Sequence, residues 1–209
     1  MSLSVWDEFD ILIGLESYRN MLVLIAALPF AANFTDEWNA KVTANCVTRK
    51  SAEDYACANV IMCFISAFMT VFVSYMIYAL FRSASMPIYI DDFTYMSHGL
   101  TTDLLLLTGK VFVYASSCAA WAVMGLAASA FFPSKYIAVC SPFMFSYIFE
   151  RLTKHFPDRF NLPGLAKSSS DMEPLPEFLW ANFIFMFIAA ACGVIFIIKV
   201  KRRVENELS

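Results

Sequence analysis

The sequence predicts an all-α, polytopic integral membrane protein: a helix bundle with about five transmembrane spans and one short cytoplasmic helix. Three observations carry this reading. Of the 209 residues, 59% are hydrophobic and only 16% are charged, whereas a soluble globular chain is nearer half apolar and a quarter charged. Phe occurs 21 times and Met 11 times, so much of the surface is suited to an apolar surrounding. The apolar residues also fall in long continuous runs without period-two alternation. Lipid cannot satisfy backbone polar groups, and a continuous helix satisfies its own.

A spanning helix needs ~20 mostly apolar residues. The runs place span one near 12–33, strongest in MLVLIAALPFAA, and span two near 56–81. Span three lies near 106–131, span four near 135–151 and span five near 178–199. The whole chain, 1–209, reads as a single transmembrane domain.

Sidedness follows from Lys and Arg beside the span ends. The tail KVKRRVENELS gathers Lys199, Lys201, Arg202 and Arg203, which makes the C-terminus cytoplasmic. Counting back through five spans, the 34–55 loop with Lys41, Arg49 and Lys50 is cytoplasmic, as is the link FFPSK with Lys135. The 82–103 and 151–177 loops are then external, together with the N-terminus. Arg151, Lys154, Arg159 and Lys167 in the external 151–177 loop run against the rule. The tail cluster is denser and abuts its helix, so it decides. The acidic start MSLSVWDEFD lacks the positive first region of a cleavable signal peptide.

Several function classes are excluded. A net charge of −3 gives no basic field for nucleic acid. There is no GxxxxGK[ST] phosphate loop and no GxSxG elbow. The two His, His98 and His155, are too few and too far apart for a His-based metal site. Asp91 and Asp92 read as a solvated pair. The six Cys contain no CxxC and fall mostly in apolar runs, so they read as reduced packing residues. No catalytic set, cofactor site or metal site is visible.

Within the spans, Pro29 and Pro142 remove backbone donors and predict helix kinks. Cys118, Ala122, Gly125 and Ser129 follow one another at steps of four, three and four, a small-residue stripe that lets a helix approach closely. Ala189 and Gly193 do the same in span five. Such stripes serve either packing within the chain or a dimer seam. Glu16 and Arg19 are three apart and able to pair on one helix face. Lys110 is placed to snorkel to an outer edge.

The 34–55 loop, FTDEWNAKVTANCVTRKSAEDY, interrupts the apolar pattern. Asn33 or Thr35 can cap a helix whose first turn holds Asp36 and Glu37, where the helix dipole favours acids. Trp38, Val42 and Cys46 form a thin apolar stripe at i, i+4 and i+8. Ser51-Ala-Glu-Asp54 fits a capping box that opens span two. The helix is placed either to lie on the bilayer surface or to dock a soluble partner.

The run ALPFAANFTDEWNAKV…TRKSAEDY resembles the permease subunits of bacterial type-2 ABC exporters. The matching positions are Pro29, Phe34, the acidic pair Asp36 and Glu37, and then Thr48, Arg49, Ser51 and Tyr55. The resemblance implies that Phe34, Asp36, Glu37, Trp38, Val42, Thr48, Arg49 and Tyr55 belong to a coupling helix that fits a groove on a separate ATP-binding subunit. It implies a second permease subunit, identical or related, and a bacterial cytoplasmic membrane. It also implies export of an amphiphilic substrate, with ATP hydrolysis in the partner chain. The family usually has six spans with both ends cytoplasmic; a first helix and the external region after it have no counterpart here. The alternative function is a non-transporting membrane assembly or immunity protein.

Overall fold

The computed structural model describes residues 4–30, 33–40, 51–87, 100–155, 160–167 and 174–208. The regular elements among them are all helices, with no strand among the described residues. The helices are α1 (Val5–Gly14), α2 (Glu16–Ala27), α3 (Asn33–Asn39), α4 (Ala52–Ser83), α5 (Leu100–Phe131), α6 (Lys135–Thr153), α7 (Leu162–Lys167) and α8 (Pro174–Leu208).

Three of them, α4, α5 and α8, are long and apolar enough to cross a membrane. They correspond to predicted spans two, three and five. Among the described residues, predicted spans one and four do not form such helices. Span one is broken at Leu15, whose extended backbone separates α1 from α2. The 12 residues of α2 reach only about 18 Å, short of a ~30 Å hydrocarbon core. Span four is the continuous 19-residue α6, which carries the buried polar groups Ser141, Ser146 and Glu150.

The break at Leu15 has a local cause. Gly14 is a poor helix former, and the last carbonyls of α1 need partners. Arg19 supplies one by donating from Nη1 to the Ile13 carbonyl at 3.0 Å. A cation at a helix C-terminus is also favoured by the helix dipole. At the other end of α1, Ser4 accepts from the Asp7 amide at 3.2 Å and its own amide donates to Asp7 Oδ2 at 3.0 Å. This closed capping box holds the first turn. Ser51 likewise accepts from the Asp54 amide at 3.1 Å and opens α4.

Helix α5 is the centre of the bundle. Its apolar segment is 83% buried, against 22% for α4 and 33% for α8. It packs most extensively on α8, α4, α6 and α2. The outer faces of α4 and α8 are apolar and open, with Ile61, Ile65, Met69 and Val73 on one and Phe183, Met186, Phe187 and Val194 on the other. A helix apolar all round that is buried inside its own fold and flanked by half-exposed apolar helices matches a bilayer-embedded bundle.

The small-residue stripe of α5 faces inward. Cys118, Ala122 and Ser129 are fully buried, and Gly125 is buried against α6. A Cβ at position 125 would overlap the Pro142 ring and stand 2.8 Å from the Ala138 carbonyl oxygen. Pro142 has no N–H to give that carbonyl, which lies four residues before it in α6. The bare Cα of Gly125 therefore sits where the missing helix hydrogen bond leaves an acceptor open. On α8, Ala189 and Gly193 are also buried within the chain, Gly193 against Val60. Pro142 lies inside α6. Pro29, expected to kink a span, instead falls in the turn after α2 has ended. The cysteines among the described residues, Cys57, Cys63, Cys118, Cys140 and Cys192, are free thiols.

Substituting Gly125→Ala forces α5 and α6 apart. The expected cost is about 1–3 kcal/mol, the usual penalty for overpacking, read as a lowered midpoint of unfolding in detergent. The same change at the exposed Gly14, where a Cβ meets nothing within 4 Å, is expected to be neutral or stabilising.

Candidate functional site

Helix α3 is only seven residues long, and its position is set by its side chains rather than by its own length. Phe34 is fully buried. It meets Phe196 of α8 edge-on, with ring centroids 5.0 Å apart, and Trp38 of its own helix at 5.8 Å. Thr35 is buried inside the helix rather than capping it. Glu37 accepts from Asn33 Nδ2 at 2.9 Å and from the Tyr55 hydroxyl of α4. Asp36 pairs with Lys135 of α6 at 2.5 Å, with both side chains about half exposed. The Arg203 guanidinium of α8 lies 5.3 Å from the Trp38 ring centroid.

These contacts tie α3 to the start of α4, the start of α6 and the end of α8. Neighbouring contacts close the same end of the bundle. Lys201 of α8 pairs with Glu53 of α4 at 2.6 Å, and Lys199 sits 4.8 Å over the Phe131 ring at the end of α5. Of the residues singled out in the 34–55 loop, Phe34, Asp36, Glu37, Trp38 and Tyr55 are brought together here. Val42, Cys46, Thr48 and Arg49 lie outside the described residues.

The partners Lys135, Phe196 and Arg203 were not anticipated as parts of this site. The signal for two of them was present in the basic tail and the FFPSK link, which were read only for sidedness. The arrangement ties α3 to three other helices through one buried ring, one hydrogen bond and one ion pair.

A second polar cluster occupies the opposite end. Glu8 of α1 pairs with Arg82 of α4, accepting from its Nε at 2.8 Å, and from Tyr78 at 3.2 Å. The hydrogen bond from Arg82 holds the Glu8 carboxyl below the usual carboxylate range, against a smaller upward push from partial burial. Asp10 of α1 pairs with Lys110 of α5, and the ammonium also lies 3.9 Å from the Trp6 ring centroid. Lys110 is fully buried, so it does not snorkel to an outer edge as its position suggested. An uncompensated charge there would be costly, and α1 supplies the compensation.

Nor do Glu16 and Arg19 pair with each other. Arg19 donates from Nε to both carboxylate oxygens of Glu150, at 3.0 and 3.1 Å, and from Nη2 at 2.6 Å. Glu16 instead accepts from Arg151 at 2.9 Å. Two adjacent residues of α6 thus hold two residues of α2, one pair buried and one open. Along the wall beside this clamp runs a groove of about 480 Å³ lined by Glu16, Ser17, Asn20, Met21, Leu24, Ile25, Phe143 and Tyr147.

No group of three or more His, Cys, Asp or Glu placed to hold a metal occurs among the described residues. Comparison with protein-family models, with curated proteins and with solved structures finds no match.

Two expectations follow. Phe34→Ala removes a fully buried ring and is expected to cost about 3–5 kcal/mol, whereas Asp36→Ala breaks a half-exposed pair and is expected to cost less than about 1 kcal/mol. Thermal unfolding in detergent separates the two. The Glu8 pairing contributes stability above the ordinary carboxylate range, and that contribution is lost as pH falls through the lowered value in the folded protein. Wild-type protein is therefore expected to lose more stability than Glu8→Gln on acidification, measured as the difference between their unfolding midpoints from neutral to acidic pH.

Proposed function

We propose that the chain is the membrane permease subunit of an ATP-driven exporter of the type-2 ABC kind. In this reading α3 is the element that meets a separate ATP-binding chain, and the α3 end of the bundle faces the bacterial cytoplasm. The observation that carries the proposal is the construction of α3. It keeps an ionisable, half-exposed side chain, Asp36, on its outer side while Phe34 and Glu37 anchor it to α8 and α4. A helix lying passively on a bilayer needs an apolar face toward lipid. This one buries Phe34 in the bundle and keeps Asp36 half exposed beside Lys135. Such a helix suits the transfer of force from a soluble partner to the spans.

The grouping of chain ends supports the same reading. The starts of α4 and α6 and the ends of α5 and α8 all meet at α3, and the basic residues Lys199, Lys201, Arg202 and Arg203 lie at that end. Positive charge beside span ends favours the cytoplasmic face. The exported molecule would be an amphiphile, and two copies of this subunit, or two related ones, would form its path.

The test is co-purification from membranes with the ATP-binding protein encoded beside this chain. A stable complex is expected with the native protein. Asp36→Ala combined with Trp38→Ala is expected to weaken it at least tenfold while leaving the chain monodisperse. No complex with the native chain, or one indifferent to that double substitution, would sink the proposal and leave a non-transporting assembly or immunity role.

A further inference from the structure

The groove between α2 and α6 is not used by the exporter reading, and the inference drawn from it does not depend on that reading. Its two ends differ chemically. Glu16, Ser17 and Asn20 lie at one end and Met21, Leu24, Ile25 and Phe143 at the other, with Tyr147 between the helices. The polar end is rich in acceptors. Glu16 carries a carboxylate and Ser17 a hydroxyl. Asn20 is itself buried, and its side-chain oxygen has no hydrogen-bond partner. A buried acceptor left unmatched costs free energy that a donor would recover.

The cations nearby are committed elsewhere. Arg19 is held by Glu150 through three hydrogen bonds and by the Ile13 carbonyl. Arg151 is held by Glu16 and rests 5.3 Å from the Tyr147 ring centroid. The unmatched group at the polar end is an acceptor, the Asn20 oxygen.

Its dimensions point to a lipid-like occupant. From Glu16 to Ile25 the helix rises about 13.5 Å at 1.5 Å per residue, close to half of a ~30 Å hydrocarbon core. The volume of about 480 Å³ lies within the range of small-molecule pockets. The polar end sits beside Arg151 near the end of α6, and the apolar end runs toward mid-bundle.

We propose that this groove seats one amphiphile from the adjoining leaflet, with an ammonium head that donates to Glu16, Ser17 and Asn20 and an acyl chain laid along Met21, Leu24, Ile25 and Phe143. The head is a primary amine. A quaternary amine has the charge but no N–H for the Asn20 oxygen.

Three single-chain probes of equal acyl length test this by native mass spectrometry of the full chain in detergent: lysophosphatidylethanolamine, lysophosphatidylcholine and lysophosphatidylglycerol. The ethanolamine probe is expected to bind roughly tenfold tighter than the choline probe, the effect of a hydrogen bond to a charged group. Asn20→Leu is expected to abolish that difference. Leu24→Trp and Phe143→Trp, which fill the groove from opposite walls, are each expected to remove binding. Ile148→Trp, on the exposed face of α6 away from the groove, is expected to leave it intact. Equal retention of all three probes by the native chain overturns the proposal. So does unchanged binding in a folded Trp variant of either wall. A preference for the glycerol probe assigns the head to Arg151 and overturns the ammonium assignment.

Discussion

Burying most of α5 is the constraint from which much of the bundle follows. A helix with neighbours all round must let each of them approach, and small residues at Cys118, Ala122, Gly125 and Ser129 make that possible. The closest approach, at Gly125 and Pro142, works only because one partner lacks a side chain and the other lacks an N–H. Dense packing of this kind transmits small displacements rather than absorbing them. The helices around α5 are then free to present apolar faces outward, as α4 and α8 do.

Charge is distributed in a way that complements this core. Lys110, Arg19 and Glu150 are ionisable groups held away from solvent, and each has its opposite within hydrogen-bonding reach. Pairs of this sort add little net stability, since desolvation offsets attraction, but removing one partner is costly. They act as addresses. Asp10 links α1 to α5, and Glu150 links α2 to α6. At the α3 end the pairs are more exposed, as with Asp36–Lys135 and Glu53–Lys201, and they tie helix ends together without locking them.

Much of the fold was legible because hydrophobic runs of spanning length have one outcome in lipid. The helices α4, α5 and α8 lie where their runs predicted, with longer ends, and the Ser51 cap was readable from its motif. Span one was misread because run length hides a break. The signal was Gly14, a weak helix former, followed closely by the charged residues Glu16 and Arg19, which are costly at mid-bilayer. The pairing of Arg19 could not be read at all. Its partner is 131 residues away, and local spacing favoured Glu16. Lys110 was misplaced for the same reason, since a lysine near a span end is usually a surface group. In the α3 site the residues within one loop were legible as a set. Their partners on α6 and α8 required the bundle to be assembled.

The separation of Arg19 from Glu150 also bears on how the protein is made. If helices enter the bilayer in chain order, Lys110 finds Asp10 already synthesised when α5 emerges. Arg19 has no such luck. The chain must extend through α4 and α5 before its carboxylate exists, so α2, too short to span alone, waits at the membrane edge with its charge uncompensated. The arrival of α6 brings Glu150 and Arg151 together and closes that wall of the bundle only after α4 and α5 have been made.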